Sequence, residues 1–433
     1  MELPYLLFAD KKGKVFVHPY LRMLVSDGEK FRLPKREELI TLPRGSSIFY
    51  LPGRLPVGFN SESKSLEVIS SYKNREVFAV SSFLIPAYLR LYHPAYVLKE
   101  KKVLPLWAYS PLGYYRGKYF TTALRVDRRR RQAPAFYDNK LVKRKVKEFL
   151  AKYPKNRLYK HLSNCALNYN CLAAKNLFLK RWEAPLPTTS ACNAKCLGCL
   201  SYQNSECSPS HQRIDFLPKE EEIFEVAYNH LKEAREPIVS FGQGCEGEPL
   251  MNAPLISRAV AKLREKIDKG TLHMNTNASI PKYVELLCKS GIDSFRVSIN
   301  SFQPKYYNIY FRPQSYKFSD VVNSIKVMNK YNKFVSFNLL VFPGFTDREA
   351  EIRAMYKFLK SYKIDMIQLR NLNIDPDLYF QSKGKAKNIL GIAKLVELLR
   401  RGFPQIKIGY FNLPKRFFLS GSDYPFYVKR QHF

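Results

Sequence analysis

The sequence predicts an α/β fold: six strand–helix units in an open parallel barrel, preceded by a mostly β, basic domain. Three observations point there. From about residue 182, short apolar runs alternate with longer segments of helical periodicity. Polar clusters stand at the carboxyl ends of those runs, where βα barrels build their chemistry. Residues 1 to about 135 instead carry short aromatic and β-branched stretches between turn signals.

In chain order, the first domain spans 1–138. Turn signals at Asp10-Lys11-Lys12-Gly13-Lys14 and Leu51-Pro52-Gly53-Arg54 separate expected strands at Tyr5 to Phe8, Lys14 to His18, Glu67 to Ser71 and Val77 to Ser81. Residues 139–181 hold a basic helix, Asn139 to Tyr153, and a connector carrying Cys165 and Cys171. The barrel occupies 182–412, and 413–433 form a basic, aromatic tail. Within the barrel, strands are expected at Glu236 to Phe241, Thr271 to Asn277, Ser294 to Ser301, Val335 to Phe342 and Asp365 to Asn373. Helical periodicity covers Lys219 to Arg235, Leu255 to Lys266, Pro281 to Lys289, Phe318 to Tyr331 and Asp347 to Tyr362.

The 433 residues suit two or three domains. No run of eighteen apolar residues occurs, so no membrane span is expected. The N-terminus lacks a basic region and a cleavage site, so a cytoplasmic location and reduced cysteines are expected. Net charge is +35, unevenly spread: residues 101–190 carry 21 Lys and Arg against 4 Asp and Glu. That stretch includes Arg128-Arg129-Arg130-Arg131 and Lys143-Arg144-Lys145, interleaved with Tyr114, Tyr115, Tyr119, Phe120, Phe136 and Tyr137. Basic clusters with aromatics favour nucleic acid. The other reading is the solvated lysine faces of a basic, heat-adapted proteome.

Cys192, Cys196 and Cys199 stand in a C-x3-C-x2-C run. Zinc sites favour four ligands in C-x2-C pairs. Three thiolates instead suit a four-iron cluster that keeps one iron open. Downstream, Gly247-Glu248-Pro249 follows the Ile238 to Phe241 strand. Together these features resemble the radical S-adenosylmethionine (radical SAM) superfamily. The runs Leu177 to Pro185 and Ser240 to Pro249 further resemble a bacterial group of that superfamily without an assigned substrate.

The resemblance implies a partial (β/α)6 barrel and a 4Fe–4S cluster on Cys192, Cys196 and Cys199. S-adenosylmethionine would bind the open iron, with Glu248 beside Gly247 accepting from its amino group. Reductive cleavage would give a 5′-deoxyadenosyl radical that abstracts hydrogen from substrate, the electron coming from a flavodoxin or ferredoxin. Cofactor contacts are expected from Thr276, Asn277, Ser298, Asn300, Asn338, Gly344 and Arg370 at the strand ends. Each also reads as an ordinary polar strand end or turn residue, and Glu248 as a helix-start carboxylate. Gly198 stands where the superfamily carries an aromatic over adenine, and Leu200 or a later residue is the expected substitute.

Five cysteines remain. Cys288 lies on an apolar helix face and reads as core. Cys165, Cys171, Cys207 and Cys245 make the number for a second 4Fe–4S cluster. The rival reading makes Cys245 a lone catalytic group near the radical, as hydrogen donor or group carrier. Two substrate classes stay open: tRNA or rRNA docked on the basic 101–190 region, or a peptide or small anionic metabolite steered by the positive field.

Overall fold

The chain's computed structural model describes residues 2–129, 131–202, 209–384 and 388–419. Arg130, Cys207 and residues 420–433 of the expected tail lie outside the described residues.

Seven parallel strands form the barrel sheet among the described residues: β1 (Arg181–Pro185), β2 (Arg235–Phe241), β3 (Thr271–Thr276), β4 (Ser294–Ile299), β5 (Phe334–Val341), β6 (Met366–Asn371) and β7 (Lys407–Gly409). Each pairs with the next in sequence, so the sheet order is the chain order. The seventh strand extends the expected six. At three residues it is too short to show a period. Helices link the strands: α4 (Glu220–Glu233), α5 (Ala253–Lys266), α6 (Pro281–Ser290), α7 (Pro304–Phe311), α8 (Phe318–Lys330), α9 (Glu349–Ser361), α10 (Pro376–Lys383) and α11 (Ile392–Gly402). Helix α5 shows why they form. Ile256, Ala259, Val260 and Leu263 make a buried stripe at helical spacing, while Arg264 and Lys266 complement its C-terminus.

The N-terminal region is an antiparallel network. Tyr5–Asp10 is its hub, pairing with Val15–Met23, Arg75–Phe83 and Gly113–Tyr115. The Asp10 carboxylate accepts from the Lys12 and Lys14 amides and closes the first hairpin. The expected strand at Glu67 to Ser71 is two pieces, Ser65–Val68 and Ser71–Tyr72.

Three helices follow: α1 (Asn139–Lys152), α2 (Arg157–Leu167) and α3 (Leu172–Phe178). The last two lie within the expected Cys-containing connector. Asn156 caps α2 through its side chain, and Leu158, Tyr159, Leu162 and Cys165 bury one face.

The β domain seats on the carboxyl ends of β5 and β6. Arg54, 1% exposed, pairs with Asp375 at 2.9 Å and Asp377 at 3.0 Å. Arg90 donates to the Leu372 carbonyl, and the Asn371 amide donates to the Tyr88 carbonyl. His93 Nε2 lies 3.0 Å from the Pro343 carbonyl. One side of the barrel mouth is thereby closed.

Candidate active site

The loop after β1 carries the three cysteines. Its backbone is zipped onto the end of α7: Lys195 donates to the Phe311 carbonyl and Leu197 to the Tyr310 carbonyl. Those carbonyls belong to the last helical turn, which lacks internal donors. The Cys192, Cys196 and Cys199 side chains are half-buried. Burial, with Glu248 nearby, pushes the Cys192 thiol up to about 11, and burial pushes Cys196 well above its usual range. Iron reverses this preference, because a bound cation holds thiols deprotonated. A donor set of three converging thiols in one loop fits a cubane with one iron left open.

Gly198 has no room for the aromatic. A Cβ there would sit 2.9 Å from the Tyr310 hydroxyl and 3.2 Å from the Asn373 carbonyl oxygen. The expected substitute, Leu200, packs instead toward Gly244, and buried Tyr310 fills the space over Gly198. Arg213, which no periodicity marks, clamps the loop. It donates to Cys199 Sγ at 3.4 Å, to the Ser190 carbonyl at 3.0 Å and to Ser201 Oγ at 3.1 Å.

The turn after β2 is strapped to the same loop. Gly247 N–H donates to the Thr189 carbonyl and Glu248 N–H to the Ala191 carbonyl. A Cβ on Gly247 would lie 2.0 Å from the Ala191 oxygen, so only glycine permits this approach. The Glu248 carboxylate is buried and accepts from Leu250 N–H, Thr276 Oγ1–H and Asn277 N–H. Burial raises it to about 7. Asn277 donates onward to Asn193 within the cysteine loop. Asn193, Glu248, Thr276 and Asn277 therefore share one connected network beside Cys192. Thr276 and Asn277 hold the glutamate, a role beyond the cofactor contact expected of them. Glu246 braces the turn, accepting from Thr188 N–H and Gly242 N–H.

Further round the rim, Ser298 on β4 is in register with Asn338 on β5, and Asn338 with Gln368 on β6. Asn300 donates to the Tyr379 hydroxyl and the Tyr306 carbonyl. The side-chain oxygens of Asn300 and Asn338 are buried without a partner among the described residues. Unpaired buried acceptors are costly, and a bound polar ligand would satisfy them. Arg370 donates to the Tyr410 carbonyl and lies over the Tyr410 ring at 4.3 Å.

Gly344 stands apart. Its φ is +77°, and a Cβ would lie 2.1 Å from the Asp27 carbonyl oxygen. It belongs to the seam with the β domain. Inside the barrel, a polar network missed by sequence reading joins Glu183, Ser240, Arg296, Gln368 and Asn412. Its signal was the apolar–polar alternation of Phe295-Arg296-Val297-Ser298.

The spare cysteines divide. Cys288 is core, its thiol pushed up to about 12 by burial. Cys165 and Cys245 meet each other and His161. The shared thiol contact lowers Cys165 below its usual range and, with burial, raises Cys245 well above it. Cys171, at the start of α3, is not part of that group.

The sequence model of the Radical SAM superfamily matches residues 186–359. No curated protein matches the chain. Solved structures similar to it include native anSMEcpe with bound AdoMet, at 19% identity and TM-score 0.36, over 44% of this chain and 51% of that one. Methylornithine synthase (PylB) is 13% identical, TM-score 0.38, over 62% and 77%. The FeFe-hydrogenase maturase HydG from Carboxydothermus hydrogenoformans is 15% identical, TM-score 0.37, over 62% and 69%. The chain thus spans about half the length of anSMEcpe. The residues that match the Radical SAM superfamily model, 186–359, hold the cysteine triplet, the Gly247-Glu248 turn and the polar ends of β3, β4 and β5.

Proposed function

We propose that this chain is a radical SAM enzyme that modifies RNA, either tRNA or rRNA. The observation that carries the first half is the pair of backbone hydrogen bonds binding Gly247 and Glu248 to the cysteine loop. They fix a buried carboxylate beside three thiols. When bound, a reduced 4Fe–4S cluster supplies the electron that cleaves S-adenosylmethionine to methionine and a 5′-deoxyadenosyl radical. Glu248 would accept from the amino group of the methionine portion, and Asn300 and Asn338 would offer their free oxygens to the nucleoside portion. The β domain over β5 and β6 keeps water out of that side of the mouth.

Glu248→Gln is expected to weaken S-adenosylmethionine binding by about 1.5–3 kcal/mol, one charge-assisted hydrogen bond, or roughly 10- to 150-fold. Isothermal titration of the reconstituted protein measures this. Unchanged affinity would leave Glu248 as a brace for the turn alone.

The RNA reading is supported by the charge and by helix α1. Lys140, Lys143, Arg144 and Lys147 are exposed along it, and the Phe136 ring, 42% exposed, precedes it. The arginine quartet contributes less than its sequence promised. Arg129 pairs with Asp127 and donates to the Phe411 carbonyl, and Arg131 is buried against Glu236 at 2.8 Å. Arg128 is exposed. RNA affinity should fall steeply from about 50 to 200 mM salt through counterion release. Glutamate at Lys140, Lys143, Arg144 and Lys147 should reduce the log–log salt slope by about 3 to 4. Filter binding with total tRNA and rRNA fragments reads both. Absence of binding at low salt would favour a peptide or a small anionic metabolite instead.

A further inference from the structure

Helix α2 carries His161 and Cys165 four residues apart, so both face the same way. The turn after β2 delivers Cys245 against them. A ring nitrogen of His161 and the two sulfurs all lie within 4.8 Å of one another, and all three residues are buried. His161 Nε2 is 3.6 Å from Cys165 Sγ. Nitrogen and sulfur ligands of one tetrahedral zinc, bonded at about 2.0–2.3 Å, lie roughly 3.3–3.8 Å apart. A small side-chain adjustment closes this set around one ion. A cubane asks for something different, because each thiolate binds a separate iron and the sulfurs spread apart. Here the donors converge on one point.

A second observation completes the shell. His211 packs its ring against the turn, 3.7 Å from a Cβ placed on Gly244, the residue before Cys245. Its Nδ1 is buried and has no hydrogen-bond partner among the described residues. A buried imidazole nitrogen without a partner, on a ring packed against the residue before Cys245, is available to a metal held by that group. Softness decides the class: two thiolates and imidazole select a zinc-like ion over magnesium or calcium.

We propose that His161, Cys165 and Cys245 bind one zinc ion, with His211 in the fourth position. The ion joins three pieces of chain. Helix α2 belongs to the N-terminal connector. His211 follows the cysteine loop, its N–H donating to the Leu200 carbonyl. Cys245 shares its turn with Gly247 and Glu248, and its carbonyl accepts from Ile214 N–H. Zinc would lock the S-adenosylmethionine turn to the connector, and it assigns Cys245 to a metal rather than to a radical.

The test uses the full chain with Cys192, Cys196 and Cys199 all changed to Ala, which removes the first cluster's ligands. Elemental analysis of anaerobically purified protein should find about one zinc per chain and no acid-labile sulfide. Cobalt exchanged into that protein should show thiolate-to-cobalt charge-transfer absorption. It should persist in Cys171→Ser and vanish in Cys165→Ser. Where that serine variant fails to fold, alkylation of the parent decides. Cys165 and Cys245 should resist iodoacetamide until a chelator is added. About four irons with matching sulfide in the triple variant would overturn the proposal in favour of a second cubane. No bound metal and no cobalt spectrum would overturn it in favour of a buried thiol pair.

Discussion

Alanine at Cys192, Cys196 and Cys199 together is expected to strip about four irons per chain and reduce S-adenosylmethionine cleavage to background. The fold should survive. The loop is held by backbone bonds from Lys195 and Leu197 to the end of α7, and by Asn193 to Ser279 and Asn277, none of which uses a thiol. Loss of iron will therefore report ligation and not collapse. Iron and sulfide assays, with mass spectrometry for 5′-deoxyadenosine after dithionite reduction, read the two effects. Full retention of iron and sulfide in the triple variant would refute the assignment of the cluster site.

Arg54→Met is expected to cost about 3–5 kcal/mol of stability. The change leaves the Asp375 carboxylate 2% exposed and without its cation. A buried pair adds little over an apolar pair, but breaking one strands a charge. Asp375 also accepts from Leu104 N–H at 2.7 Å, so the damage spreads into the β domain. Adding Asp375→Asn should recover much of the loss, since asparagine still accepts from Leu104 and carries no charge. Denaturant unfolding followed by fluorescence measures both. A loss below about 1 kcal/mol for Arg54→Met would mean that water reaches this seam.

The sequence displayed its chemistry more openly than its assembly. The cysteine triplet and Gly247-Glu248 are local patterns, and local patterns are legible. Helix α5 announced itself through four buried residues at helical spacing. Strand β7 did not, because Lys407–Gly409 is too short to repeat a period. Helix α3 was hidden for a similar reason, at seven residues. Tertiary partners were invisible. Arg131 read as a phosphate ligand because its partner, Glu236, lies 105 residues away. Gly344 read as a cofactor contact because nothing in the chain declares that Asp27 crosses above it. Arg213 sits in an irregular stretch, and only the folded loop shows that it reaches Cys199.

The seat of the β domain on the barrel has a consequence for how the protein is made. Arg54 and Asp375 are separated by 321 residues. At ribosomal speeds of about 5–20 residues per second, the arginine emerges roughly 15–60 s before its partner. Throughout that interval the surface of the β domain that meets β5 and β6 has nothing to cover it. The nascent chain must keep an apolar, charged seam from sticking to its neighbours until the sixth strand is complete. Such long-range closure makes for slow folding. Slowing translation near the start would give no help, because the piece that covers the N-terminal third is at the other end of the chain.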